Sequence, residues 1–134
     1  MATRREFIKL SAIGGAGLLS SQAHGLSVPQ TKPVVVSTWD FGLQANKAAW
    51  KILSNGGRAL DAVEAGARVP EGDPKESSVG FGGRPDRDGK VTLDACIMDE
   101  HRNCGSAAFL QHIVHPISVA RLAMAKTPHV MLGG

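Results

Sequence analysis

The sequence predicts a mixed α/β layered structure behind a short targeting segment. Two patterns carry the fold class. Apolar runs of about four to eight residues, rich in β-branched side chains, read as strands, and between them apolar positions recur at helical spacing. Glycine doublets at Gly56-Gly57 and Gly82-Gly83 mark tight turns between these segments, not a flexible linker. A hydrophobic fraction of 43% over 134 residues is enough for one small domain and argues against disorder.

The first strand is expected at Pro33-Val34-Val35-Val36-Ser37-Thr38-Trp39, a buried β-branched run. A helix follows from about Leu43 to Ser54, with Ala45, Ala48, Ala49, Ile52 and Leu53 on its apolar side. Asn55-Gly56-Gly57 ends it in the usual glycine manner. A second helix spans about Ala59 to Arg68, with Leu60, Val63 and Ala67 facing inward, and Pro70 to Pro74 stops it. Ser78 to Phe81 and Val91 to Met98 read as strands joined by the polar turn Gly83 to Gly89. A further strand covers Gly105 to Phe109. Pro116 opens a helix running to about Lys126, supported by Ile117, Ala120, Leu122 and Met124. His129 to Leu132 begins a last apolar strand, giving the order β-α-α-β-β-β-α-β. That strand has no partner in this reading, so the sequence is expected to be the front part of a longer chain.

Residues 1–25 have the layout of an export leader. Arg4-Arg5 and Lys9 supply charge, Leu10 to Leu19 a mild glycine-loosened apolar stretch, and Ser21-Gln22-Ala23 small residues for cleavage. The adjacent arginines resemble a bacterial twin-arginine signal, which implies a periplasmic or secreted product. About ten apolar residues are too few for a bilayer span that needs roughly 20, so stable membrane insertion is not expected. The leader carries two of the three net positive charges, and residues 26–134 are then nearly neutral. No basic stripe with interleaved aromatics remains, and nucleic acid is not an expected partner.

Cys96 and Cys104 read as separate thiols, Cys96 as a small buried hydrophobe. Gly80-Phe81-Gly82-Gly83 lacks the following helix and lysine of a phosphate loop. Asp94, Asp99, Glu100 and His101 match no metal-ligand frame, and His112 and His115 have no third ligand in view. No Gly-x-Ser-x-Gly elbow or Ser/His/Asp set is present. These patterns by themselves describe an exported α/β chain without an assigned activity.

Three segments, in order, go further. Gly56-Gly57-Arg58-Ala59-Leu60-Asp61-Ala62-Val63 resembles the helix entry of the threonine-type asparaginases, which are N-terminal nucleophile hydrolases. Thr92-Leu93-Asp94-Ala95-Cys96-Ile97-Met98-Asp99 resembles their LDAxIMDG strand, with Glu100 in place of the last glycine. Ser78-Val79-Gly80-Phe81-Gly82-Gly83-Arg84-Pro85-Asp86 is similar to the glycosylasparaginase branch, not to the isoaspartyl peptidase and plant-type asparaginase branch. Val35 to Trp39 and Pro116 to Arg121 fit the same branch.

The resemblance implies part of an αββα sandwich, within the α-subunit of an enzyme that cleaves the amide joining asparagine to N-acetylglucosamine. It implies a self-cleaved precursor whose β-subunit begins with the nucleophilic threonine, that residue's α-amino group serving as base. It also implies oligomers of αβ units and no metal or organic cofactor. Thr3, Thr31, Thr38, Thr92 and Thr127 do not follow an aspartate, so none matches the His-Asp-Thr cleavage site, and no catalytic residue is expected in this chain. Two substrate-binding residues carry over. Position alone makes Trp39 a core aromatic at a strand end, whereas the resemblance puts it in the substrate pocket. Ser78 reads equally as a hydroxyl bonded to nearby backbone and as a group beside the catalytic centre. Asp94 and Asp99 are expected to be structural. An L-asparaginase or β-aspartyl peptidase of the same superfamily, and a non-catalytic exported remnant, are the alternatives.

Overall fold

The computed structural model describes residues 32–134, and the leader lies outside them. Three helices and one small sheet form in the order α1 (Gly42–Leu53), α2 (Ala59–Glu71), a 3-10 turn (Gly80–Gly82), β1 (Leu93–Met98), β2 (Cys104–Leu110), α3 (Pro116–Lys126) and β3 (Met131–Gly133).

α1 and α2 form an antiparallel hairpin whose contact is made of small residues. Gly42, Ala45 and Ala49 of α1 are buried, as are Ala62, Gly66 and Pro70 of α2. A methyl group added at Gly66 would press on the Ala45 carbonyl, so the two backbones touch almost directly. Gly56 turns the chain between them with a φ of +75°, a conformation that costs glycine little. The other side of α2 meets the sheet, and there Leu60 joins Ile97, Ile117 and Ala120 in the main hydrophobic cluster. Val63, expected on that inner face, is exposed and borders a cavity.

β1 pairs antiparallel with β2, aligning Ala95 with Ala107 and Ile97 with Gly105. These four positions face the helices. Asp94, Cys96 and Met98 alternate to the opposite face and are exposed. Cys96 is therefore not the buried hydrophobe that composition implied; the strand's period of two turns it away from the core. Both cysteines are free. α3 lies across the covered face with Ile117, Ala120 and Ala123 buried, while Leu122 points to the exposed side. Beneath it, Gly105 has no room for a side chain, because a Cβ there would overlap the Ala120 carbonyl and the Met124 backbone. The helix then returns the chain to the sheet, and β3 runs parallel to β2 with Met131 opposite Ser106. The last strand thus has a partner. Ser106 reinforces the junction, donating both its N–H and its hydroxyl to the Val130 carbonyl.

Three other expectations are corrected. Pro33 to Trp39 is extended but has no ladder partner among the described residues, and Val34 and Val36 are 77% and 84% exposed. Its single side-chain anchor within α1 is the Ser37 hydroxyl, which donates to Asn46 Oδ1 at 2.5 Å. α2 does not stop before Pro70. It passes through the proline, whose φ already suits a helix, and closes when the N–H groups of Gly72 and Asp73 reach the Arg68 and Pro70 carbonyls. Ser78 to Phe81 is a bend and a 3-10 turn, not a strand. Glu76 Oε1 accepts from both the N–H and the hydroxyl of Ser78, and Gly80 adopts a φ of +60°. Both features curl the backbone away from an extended course.

The described residues thus supply one sheet with helices on one face. None of their helices is long and apolar enough to cross a membrane.

Candidate functional site

The extended segment, the α1–α2 hairpin and the 3-10 turn border an open cavity of about 630 Å³. Val34 to Trp39 forms one wall, and the small side chains of Ala45, Ala49 and Ala62 form much of the floor. Ser78 to Gly80 and Thr92 to Asp94 form the opposite rim. The residues nominated as substrate-binding, Trp39 and Ser78, therefore line one cavity although 39 positions separate them in the sequence.

Trp39 is held at the start of the turn into α1, where its carbonyl accepts the Gly42 N–H at 2.8 Å. The residue is 67% exposed and is not the core aromatic that a strand end would make it. Ser78 sits at the rim with its hydroxyl donated to Glu76 Oε1 at 2.5 Å. That contact leaves the oxygen's lone pairs free to accept. The rim is placed by glycine. A Cβ at Gly80 would overlap the Glu71 backbone, and one at Gly82 would overlap the Glu76 carbonyl. The run Ser78 to Gly83 is thus a backbone-packing device, consistent with its failure to match a phosphate loop.

Asp94 borders the same cavity from β1. Asp99 is structural: its carboxylate accepts the His101 and Asn103 N–H groups and the Asn103 side-chain amide, closing the β1–β2 turn. The Asn103 amide leads the interactions that hold Asp99 below the usual carboxylate range. Glu100, standing where the resembling strand has glycine, makes a two-pronged contact to Arg58 at 2.8 and 3.1 Å. Arg121 of α3 similarly clamps Asp61 and Glu64 of α2. Both arginines border a second cavity of about 500 Å³, and both are already ion-paired.

One further pair is brought together only by the fold. Glu71, 6% exposed, ends α2 beneath the rim and accepts the Ile117 N–H of α3 at 3.0 Å. Its second oxygen, Oε2, faces His115 Nδ1 at 3.5 Å. Burial pushes the Glu71 carboxyl up to about 7, while burial and then the charge of Arg68 push His115 below its ordinary value. Forty-four residues separate the two, so no local spacing links them. The one available signal was a histidine directly before a helix-opening proline. His115 meets Glu71 and joins no metal set, and among the described residues no group of three or more His, Cys, Asp or Glu side chains could hold a metal.

Residues 9–134 match the family model Asparaginase_2, described as Asparaginase. An N(4)-(Beta-N-acetylglucosaminyl)-L-asparaginase of Elizabethkingia miricola is 61% identical over 138 residues, covering 98% of this chain and 41% of that protein. The mouse N(4)-(beta-N-acetylglucosaminyl)-L-asparaginase is 47% identical over 103 residues, covering 76% of this chain and 30% of its own length. A probable isoaspartyl peptidase/L-asparaginase 3 of Arabidopsis thaliana is 35% identical over 129 residues, covering 96% of this chain and 33% of its own length. The chain spans well under half the length of each of these relatives. With the family model covering nearly all of it, the chain belongs to the asparaginase family.

Proposed function

We propose that this chain forms part of the α-subunit of an N4-(β-N-acetylglucosaminyl)-L-asparaginase and contributes one side of its substrate pocket. The observation that carries this reading is the convergence of Trp39 and Ser78 on a single cavity. The identity to the Elizabethkingia and mouse relatives supports the same branch over the isoaspartyl peptidase branch. In this role the exposed Trp39 ring offers a flat apolar wall, suited to the aliphatic part of an asparagine side chain or a sugar face. Ser78 offers a hydroxyl that Glu76 keeps oriented.

The nucleophilic threonine is proposed to come from a β-subunit released from the same precursor. Its hydroxyl attacks the amide carbonyl, its α-amino group takes the proton, and an oxyanion hole in that subunit stabilises the tetrahedral intermediate. The rest of the protein would add the second sheet of an αββα sandwich against the exposed face of β1 and β2. The αβ units are proposed to assemble into oligomers, and the leader to direct export through the twin-arginine route. Fusing residues 1–25 to a reporter tests the last point, since changing Arg4 and Arg5 to lysine would stop its export.

The main test joins this chain to the part of the Elizabethkingia relative outside the matched span. The fusion is assayed on aspartyl-glucosamine, asparagine and a β-aspartyl dipeptide. We expect turnover of aspartyl-glucosamine above the other two, and no hydrolysis by the 134-residue chain alone. Preference for the dipeptide would move the assignment to the isoaspartyl peptidase branch. Amidase activity of the chain alone would refute the missing nucleophile.

A further inference from the structure

Glu71 Oε2 and His115 Nδ1 are both buried, face each other at 3.5 Å and have no hydrogen-bond partner. Oε1 of the same carboxyl is occupied by the Ile117 N–H. An ionised carboxylate opposite an unprotonated nitrogen would leave two acceptors and no donor, an arrangement that is costly away from water. One proton placed between them satisfies both.

We propose that Glu71 and His115 hold a single proton on the carboxyl, Oε2–H donating to Nδ1, and that this clasp fixes the end of α2, on which the Ser78–Gly82 turn rests, against the N-terminus of α3. Glu71 is thereby a positioning residue. Its carboxyl grips the N-terminus of α3, while its backbone is the surface on which Gly80 rests. His115 completes the clasp from the segment leading into α3. In a buried site the uncharged arrangement is favoured over a carboxylate–imidazolium pair, because both ions would have to be desolvated.

The neighbouring charges are few. From α2, Arg68 favours ionised Glu71 and neutral His115, and Glu64 disfavours ionised Glu71. The 3-10 turn presents only the Gly80 backbone, and α3 presents the Ile117 N–H. The raised Glu71 and lowered His115 values agree with a proton that moves from imidazole to carboxyl on folding. Unfolded, between about pH 4.5 and 6.5, the proton sits on the histidine; folded, it sits on the glutamate. Both states then bind one proton in that window, so the pair contributes little pH dependence there. Above it, the folded state alone retains the proton until about pH 7, and stability falls.

Each partner alone should therefore show a slope that the pair hides. Folding equilibrium constants of the full chain are measured by urea unfolding between pH 5 and 8, referenced to the double variant Glu71→Gln/His115→Leu. With His115→Leu the constant should fall about tenfold from pH 6 to 8, as expected of a carboxyl titrating near 7. With Glu71→Gln it should rise with pH through 6.5, because only the histidine remains. The unsubstituted chain should change by less than about fivefold over the whole range.

Imidazole nitrogen shifts at pH 6 should show His115 neutral, with Nδ1 bare and accepting. The Gly80 and Ile117 amide resonances should titrate together near pH 7, which a contact of no positional consequence would not produce. If the chain gives no dispersed spectrum, both measurements are made on the fusion described above, independently of its activity. Parallel slopes in the two single variants, a protonated Nδ1 at pH 6, or a Gly80 resonance that ignores the titration would each overturn the proposal.

Discussion

Gly105 shows how one atom decides the spacing between layers. α3 crosses β2 where the strand has no side chain, and the neighbouring contacts are backbone atoms that cannot rotate aside. Gly105→Val should destabilise the chain by about 1–3 kcal/mol, the usual range for overpacking, read from the shift in urea midpoint. Arg121 is a gentler case. It is partly buried and joins α3 to two carboxylates of α2, so Arg121→Ala removes the ion pairs of Asp61 and Glu64 and leaves Glu64 the Ser118 hydroxyl. The expected loss is about 1 kcal/mol, and it should shrink in high salt. Trp39→Ala should leave stability almost unchanged, since the ring is mostly exposed, yet raise KM of the fusion about tenfold or more. A large stability loss without a change in KM would return Trp39 to the core.

Among the elements, those with a self-contained periodic signal were legible in the sequence. α1, the start of α2, β1, β2 and the full extent of α3 match their punctuation, although Leu122, counted on the apolar side of α3, is exposed and Ala123 is buried in its place. What could not be read depends on partners far away in the chain. Val34 to Val36 has a strand's composition, but strand pairing needs a neighbour, and none lies beside it among the described residues. Ser78 to Phe81 looks extended until Glu76 captures Ser78 and Gly80 turns left-handed, a local competition that hydropathy does not register. The resemblance nominated Trp39 and Ser78 residue by residue, and the fold brings them to one cavity. Glu71 and His115 escaped because their relation exists only after α2 and α3 have docked. Gly80→Ala should disturb this element more than a surface glycine change. It combines an unfavourable φ with backbone overlap at Glu71, and a loss above about 1 kcal/mol is expected by urea unfolding.

At the scale of the whole molecule, the described residues cover the sheet on one face and leave the other bare. Asp94, Cys96 and Met98 occupy the bare side, together with Cys104, Ser106 and Ala108 of β2. If a second sheet packs there in the complete protein, Cys96 should react readily with a thiol reagent in the isolated chain and become protected in the fusion. Equal reactivity in both would count against the sandwich.

The direct seating of α3 on Gly105 has a further consequence, in time. A helix separated from a sheet by side chains can slide or tilt as they change rotamer, but this one has backbone against backbone. Its amide neighbours at Ile97 and Ala107 should exchange their hydrogens only when the chain unfolds globally, whereas those of the three-residue edge strand β3 exchange by local fraying.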